Sequence, residues 1–281
     1  MVLITGGLGF IVALLFLKET HPDTLLTWKA QALRQVTGDD RFKSDHELSS
    51  SFLSSITENC KRPISFFTKE PIVIALGLYL TIIYVLVFSF LDGFTFIFAD
   101  TYGFNPGQQG STFGAITIGV LLQTAIQPYW AHRYNKLCRT QNKENLDPEQ
   151  RLYQALYSAP LLPISLFWLG WTNYLSISFW SNIGAAALFG FSLMGIFVSA
   201  YQYILDAYES MSSSALSSIT FARYVVSGGV VIATRPMYDA LGVHYTLTLL
   251  GGIAVLLTPL PFIFMKYGDK VRAKSEFIQQ S

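Results

Sequence analysis

The run LYQALYSAPLLPISLFWLGWTNYLSISFWSNIGAAALFGFSLMGIFVSAYQYIL, Leu152–Leu205, holds 54 consecutive residues without one Asp, Glu, Lys or Arg. A hydrocarbon core about 30 Å thick is crossed by roughly 20 apolar residues in helical form. A single helix of this run would far exceed the bilayer, so the segment must double back. Thr172–Phe179, with Asn173 and alternating serines, is the natural turn. Outward from this run the pattern repeats. Met1–Leu17, Ile72–Leu91, Thr101–His132 and Ala240–Met265 are likewise free of these four residues. Lipid is the solvent that such a distribution demands.

Composition agrees. Of 281 residues only 13% are charged and 51% are hydrophobic, against about 25% charged in a soluble domain. A net charge of +1 supplies no field for nucleic acid, which is therefore not an expected partner. Two cysteines make no disulfide framework, and no Cys/His spacing suggests zinc, so no metal or cofactor is expected. Both thiols, Cys60 and Cys138, fall in basic loops and should stay reduced.

The fold class read from these runs is all-α and integral to the membrane, with seven transmembrane helices. The predicted spans are Val2–Leu17, Ile72–Ala99, Ser111–Ala131, Tyr153–Trp171, Ser181–Leu205, Ser213–Thr234 and Val243–Met265. Residues 1–17 form the first helix, 18–71 a linker loop, 72–265 a six-helix bundle and 266–281 a tail. Met1–Leu17 lacks the basic start and Ala-x-Ala site of a signal peptide, so it is read as a span. Alternate threading puts 17 of the 19 Lys and Arg on one side, and the positive-inside rule makes that side cytosolic, with the carboxyl terminus. In the linker, Leu25, Trp28, Ala32 and Val36 recur at near-helical spacing and predict a short amphipathic helix.

Inside the spans, Ser111, Ala115 and Gly119, then Ala186 with Gly190 and Gly195 with Ser199, place small residues every four positions. Such stripes let helices approach closely, because lipid provides no hydrophobic force between them. Arg223 stands near the middle of its span. A cation at that depth is costly unless it faces a wet cavity or a partner. Asp206 is the candidate partner, though it lies roughly 13 Å lower along the axis at ~1.5 Å per residue. Tyr201 and Gln202 are closer in depth. Asp92 falls near the outer interface. Gln123 and Gln127 add neutral polar groups at membrane depth, and Phe88, Phe90, Phe94, Phe96 and Phe98 alternate around one helix, most of them facing lipid or neighbours.

Catalytic patterns are missing. There is no Gly-x-x-x-x-Gly-Lys-Ser/Thr and no His-Glu-x-x-His, and His21, His46, His132 and His244 are scattered, so an enzyme is not expected.

Several short motifs carry a resemblance. They are Lys18-Glu19-Thr20-His21-Pro22, Arg62-Pro63 through Lys69-Glu70-Pro71, and Tyr102-Gly103-Phe104-Asn105-Pro106-Gly107. Pro148-Glu149-Gln150-Arg151-Leu152, Phe167-Trp168-Leu169-Gly170-Trp171-Thr172, and Asp206-Ala207-Tyr208 with Arg223 complete the set. Together they resemble the carboxyl-terminal half, helices six to twelve, of fungal major facilitator superfamily drug:proton antiporters of the multidrug and polyamine type. The resemblance implies a secondary transporter that exports small organic or cationic compounds in exchange for protons, in the plasma membrane or next the vacuole. Asp92 and Asp206 would then serve proton-linked charge changes, Gln123, Gln127, Tyr201 and Gln202 would line the cavity, and Arg223 would be a charge partner or gate. Two departures stand out. Lys18 replaces a usual proline, and the family's Gly-x-x-x-Asp-Arg-x-Gly-Arg motif is absent. A lone half offers one wall of a cavity, so the expectation is either an incomplete product or a separate partner supplying the amino-terminal half. A non-transporting fragment and, remotely, a seven-helix receptor are the competing readings.

Overall fold

The computed structural model describes residues 2–17, 22–39, 41–43, 66–141, 147–208, 211–273 and 275. The chain divides into two compact units, Met1–Cys60 and Lys61–Ser281. Helices dominate both, and no strand occurs among the described residues. In lipid the backbone must satisfy its own hydrogen bonds, and a helix does so within one segment. The Ser-rich stretch of the linker and Cys60 lie outside the described residues.

The first unit holds α1 (Val2–Phe16) and α2 (Pro22–Thr37). At 15 residues α1 is shorter than the ~20 needed for a perpendicular crossing. The amphipathic spacing in the linker folds as α2. Gly38 ends it with φ 67°, its N–H donating to the Arg34 carbonyl, the left-handed stop that glycine makes without a Cβ clash. Beyond it the Arg41 guanidinium grips Asp39 at 2.9 Å and holds that exposed carboxyl below the usual carboxylate range.

The second unit comprises α3 (Pro71–Phe94), a widened π turn (Thr95–Asp100), α4 (Pro106–Gln141), a 3-10 turn (Pro148–Leu152), α5 (Tyr153–Thr172), α6 (Phe179–Tyr208), α7 (Ser212–Leu257) and α8 (Leu260–Arg272). Pro71 opens α3, where its missing N–H costs nothing. Asn105 caps α4 in a reciprocal box. Its side chain accepts the Gln108 N–H at 2.9 Å, and the Gln108 side chain accepts the Asn105 N–H at 3.1 Å.

Four helical stretches among the described residues are long and apolar enough to cross a membrane: Pro71–Asp100, Pro148–Thr172, Phe179–Tyr208 and Ser212–Arg272. The last covers two of the predicted spans and removes the loop expected at Arg235–Gly242. Helix continues through Pro236 until Gly242, whose φ of 73° and ψ of 173° are not helical. There the chain reverses. Ser212 follows Tyr208, which reaches Glu70, while Arg272 at the far end binds Glu149. Both ends of the 61-residue stretch thus lie at the end of the bundle where Glu70 and Glu149 sit. α4 spans 36 residues, longer at both ends than predicted, and is more polar on average than α3, α5, α6 and α7.

The packing partners follow from the small residues. α4 lies along α6, with Gly119 against the Ala187 carbonyl and Gly190 against the Ile116 carbonyl; an added Cβ at either would overlap backbone. The stripes read in the sequence thus mark an actual close approach. α3 lies along α7, joined by the buried Ser89–Thr234 hydroxyl pair at 3.2 Å. α5 packs on α6 and on the returning half of α7, where Gly170 meets Leu247 and Phe167 meets Gly251. Phe90, Phe94 and Phe98, four apart, turn inward and are fully buried. Phe90 stacks on Phe189 and Phe94 on Phe113.

Tyr238 supplies a first test of this packing. Its ring stacks on Phe96 at 5.0 Å, its hydroxyl presses on Gly93, and that buried oxygen makes no hydrogen bond among the described residues. Tyr238→Phe keeps the stack and removes an unsatisfied group. It should raise the midpoint of thermal unfolding in detergent, by about 1 kcal/mol of stability. A clear fall in the midpoint would mean that the hydroxyl is bonded.

Candidate functional site

The sequence-predicted polar residues fall into three places. The first is centred on Arg223, on α7. It is 6% exposed, and its Nη1 donates to the Tyr201 hydroxyl at 2.7 Å. Its guanidinium carbon lies 4.4 Å from the Tyr84 ring centroid, 5.2 Å from Tyr224, 5.3 Å from Phe197 and 5.9 Å from Tyr201. Burying a cation at this depth costs from ~2.5 to ~17 kcal/mol, depending on the scale. Each desolvated aromatic face returns about 0.5 to 2 kcal/mol. The rings therefore offset a large part of the cost, and the Tyr201 bond offsets more. The Nε proton remains, buried and without an acceptor. Beside the guanidinium lies an open recess of about 510 Å³, lined from α3, α4, α6 and α7 by Tyr84, Val120, Met194, Phe197, Tyr201 and Gln202 among others.

Asp206 is not the partner of Arg223. It bonds Arg151 instead, Nε to Oδ2 at 2.6 Å, with the Tyr134 hydroxyl at 3.4 Å and the Tyr134 ring 3.5 Å from the guanidinium carbon. Depth explains the correction. Asp206 sits near the end of α6, level with the 3-10 turn that carries Arg151. Tyr201 stands one turn and more deeper, level with Arg223. Around the ion pair a narrow cleft of about 30 Å³, room for a water or two, is lined by Gln127, Trp130, Arg133, Gln154 and Gln202. Gln202 borders both this cleft, which Gln127 and Arg151 line, and the Arg223 recess, which Tyr201 lines.

Gln123 and Asp92 stand apart. Gln123 is 1% exposed, wedged beside Gly195 and Ser158 where α4, α5 and α6 meet, and its Oε1 makes no hydrogen bond among the described residues. It lines neither of those cavities. Asp92 is exposed, eight residues beyond Tyr84 on α3 and so about 12 Å further along the axis. It borders a separate recess of about 480 Å³ with Thr95, Asp100, Ile232 and Arg235.

Two clusters have no trace in the sequence reading, although Glu70, Glu149 and Tyr208 stand in the quoted motifs. Glu70, fully buried, accepts the Tyr208 hydroxyl at 2.8 Å and the Ser275 hydroxyl at 2.5 Å. Glu149 pairs with Arg272 at 2.9 Å, and Arg272 also binds Asp269. With Arg151–Asp206 they tie the residue before α3, the 3-10 turn, α6 and α8 together at one end of the bundle. At the opposite end, Asn182 bonds Asn173 and the Tyr102 hydroxyl at 2.8 and 3.3 Å, holding the 173–178 turn to the π turn.

The Arg151–Asp206 pair is only about a quarter exposed on each side. Asp206→Ala strips Arg151 of its acceptor and should cost about 1 to 3 kcal/mol. The double change with Arg151→Ala should cost less than the sum of the single changes. Additive losses in a double-mutant cycle of thermal unfolding would show that the pair is not coupled.

Comparisons with known proteins fit this architecture. The sequence profile of the Major Facilitator Superfamily matches residues 1–232. The chain is 47% identical over 278 residues to the MFS-type transporter kojT of Aspergillus flavus, covering 98% of this chain and 48% of that protein. It is 34% identical over 277 residues to the major facilitator superfamily multidrug transporter FLU1 of Candida albicans, covering 98% and 45%. The efflux pump atB of Aspergillus terreus is 32% identical over 269 residues, covering 94% and 56%. No solved structure matches. The chain spans about half the length of the curated relatives it matches, and with its helices built to cross a bilayer it belongs to the major facilitator superfamily.

Proposed function

We propose that this chain works as the carboxyl-terminal bundle of a secondary active exporter, which moves small organic compounds outward in exchange for protons. The observation that carries the reading is Arg223, a cation buried in a membrane bundle, held by aromatic rings and bordering a recess with room for a small molecule. A structural cation would be expected to spend its donors on neighbours, whereas this one keeps a buried N–H unspent. Relatives that are named an efflux pump and a multidrug transporter support the outward direction. In carriers of this architecture the compound sits between two bundles that rock against each other. The Arg223 recess supplies one wall.

For the proton, the reading assigns Asp206. Protonating its carboxyl would release Arg151 and loosen the contact between α6 and the 3-10 turn. Gln202, which borders both cavities, would link that step to Arg223. Asp92 is the second candidate, at the other end of the path. The basic end faces the cytosol in this proposal, by the excess of Lys and Arg in its loops, and the membrane is the plasma membrane.

The experiment is accumulation of labelled neutral, anionic and cationic aromatic compounds in cells with and without the complete gene product. At least one compound should accumulate less when the protein is present, and a protonophore should erase the difference. Equal accumulation of every compound, with the protein verified at the membrane, would end the exporter reading. A difference that survives the protonophore would end the proton-coupled part.

A further inference from the structure

We propose that the Arg223 recess is an anion-accepting subsite, shaped for a planar organic acid bearing a carboxylate and not for an organic cation. This deepens the exporter reading and rests on it for one point, that the recess is where the transported compound sits.

The sign of the site comes first. Among the described residues that line the recess, Arg223 is the one ionised side chain; the others are apolar, aromatic or amide. The neighbouring apolar recess, lined by Leu216, Ser217, Thr220, Phe221, Tyr224 and Val225, adds no carboxylate. The carboxylates that could neutralise Arg223 are committed elsewhere, with Asp206 on Arg151 and Asp92 in a different recess. Aromatic walls alone would favour a cation. Here the guanidinium already lies over the Tyr84, Phe197 and Tyr224 rings, so a second positive charge would be repelled by the first across a poorly screened gap.

Donor capacity is the second, independent observation. A guanidinium presents five N–H donors and no acceptor. Tyr201 takes Nη1 and the Tyr224 hydroxyl also bonds the guanidinium, while Nε is buried with no acceptor among the described residues. A planar two-oxygen acceptor matches the guanidinium fork. The remaining walls suit a ring. Tyr84 stands edge-on to Phe197 and to Tyr224, at 76° and 83°, leaving apolar surface on the side of the recess.

Three isosteric probes separate charge from shape: benzoate, benzamide and benzamidinium. Binding of each to the purified 281-residue chain in phosphatidylcholine nanodiscs is to be measured by titration calorimetry. Benzoate should bind about tenfold or more tighter than benzamide, as a charged hydrogen bond of ~1.5 to 3 kcal/mol implies, and benzamidinium should not bind. Arg223→Gln should erase the preference for benzoate, and Arg223→Lys should keep part of it. Should the Gln variant fail to fold, the three probes on the unaltered chain decide alone. Benzamidinium binding as tightly as benzoate, or a Gln variant that keeps the preference, overturns the proposal. Nanodiscs containing phosphatidylglycerol test whether a lipid headgroup is the true anion. Unchanged benzoate affinity supports the organic acid, and a marked loss overturns it. The two readings fail separately. Export of a cation without benzoate discrimination refutes the anion subsite alone, and benzoate discrimination without any flux refutes the exporter alone.

Discussion

Arg223→Ala is expected to abolish export by the complete carrier, while Arg223→Lys retains part of it, both at wild-type surface expression. The alanine variant loses the cation, the bond to Tyr201 and the body that fills the space between the Tyr84, Phe197 and Tyr224 rings. Lysine restores the charge but not the planar fork, and its three donors cannot reproduce a two-point contact. The order wild type, Lys, Ala in export rate is therefore the signature of a charge that acts on the transported compound. If Arg223 served packing alone, a methionine of similar length would equal or exceed lysine, because it carries no desolvation cost. Export by Arg223→Ala at the wild-type rate would remove the residue from the mechanism.

The second large effect belongs to the α4–α6 contact. Gly119→Leu and Gly190→Leu each should prevent a stable bundle from forming. At both glycines even a single added carbon overlaps a backbone carbonyl of the facing helix. A carbonyl cannot swing aside as a side chain can, so the helices must separate along their length. Overpacking a core by a few methylenes costs about 1 to 3 kcal/mol where side chains can adjust, and here they cannot. Size-exclusion chromatography in mild detergent should show aggregate in place of the monodisperse peak. Gly110→Leu is the control, since nothing lies within 4 Å of its added carbon. Monodisperse Gly119→Leu protein with an unchanged melting midpoint would show that the two helices are further apart than described.

What could be read in the residues alone divides by range. The charge-free runs predicted helices because lipid leaves the backbone no alternative, and the small-residue stripes predicted close approach because only their spacing matters. Arg223 was legible as a problem: a buried cation must find partners. Tyr201 was among those named because it lies at matching depth on the adjacent helix. The ring of Tyr84 was not, since nothing in a sequence says that α3 runs beside α7; Phe197 lies on α6 itself, one turn before Tyr201. Asp206 was misassigned for the same reason. Its partner, Arg151, is 55 residues away and meets it through a turn whose position depends on the whole bundle. The contact of Ser275 with Glu70, across 205 residues, had no local trace at all. The loop expected between Thr234 and Val243 is helix as far as Gly242, because a proline such as Pro236 is tolerated in a bilayer where its neighbours satisfy the freed carbonyl.

That single glycine has a mechanical meaning. Where loops join membrane helices, slack lets each rod tilt by itself. Between the two arms of α7 one residue alone departs from helical geometry, so the arms share a pivot with almost no play. When the arm carrying Arg223 leans, the arm packed on Phe167 must swing with it. Gly242 is the hinge between them, so a tilt of the recess-side arm reaches the returning arm through one residue and not through a slack loop.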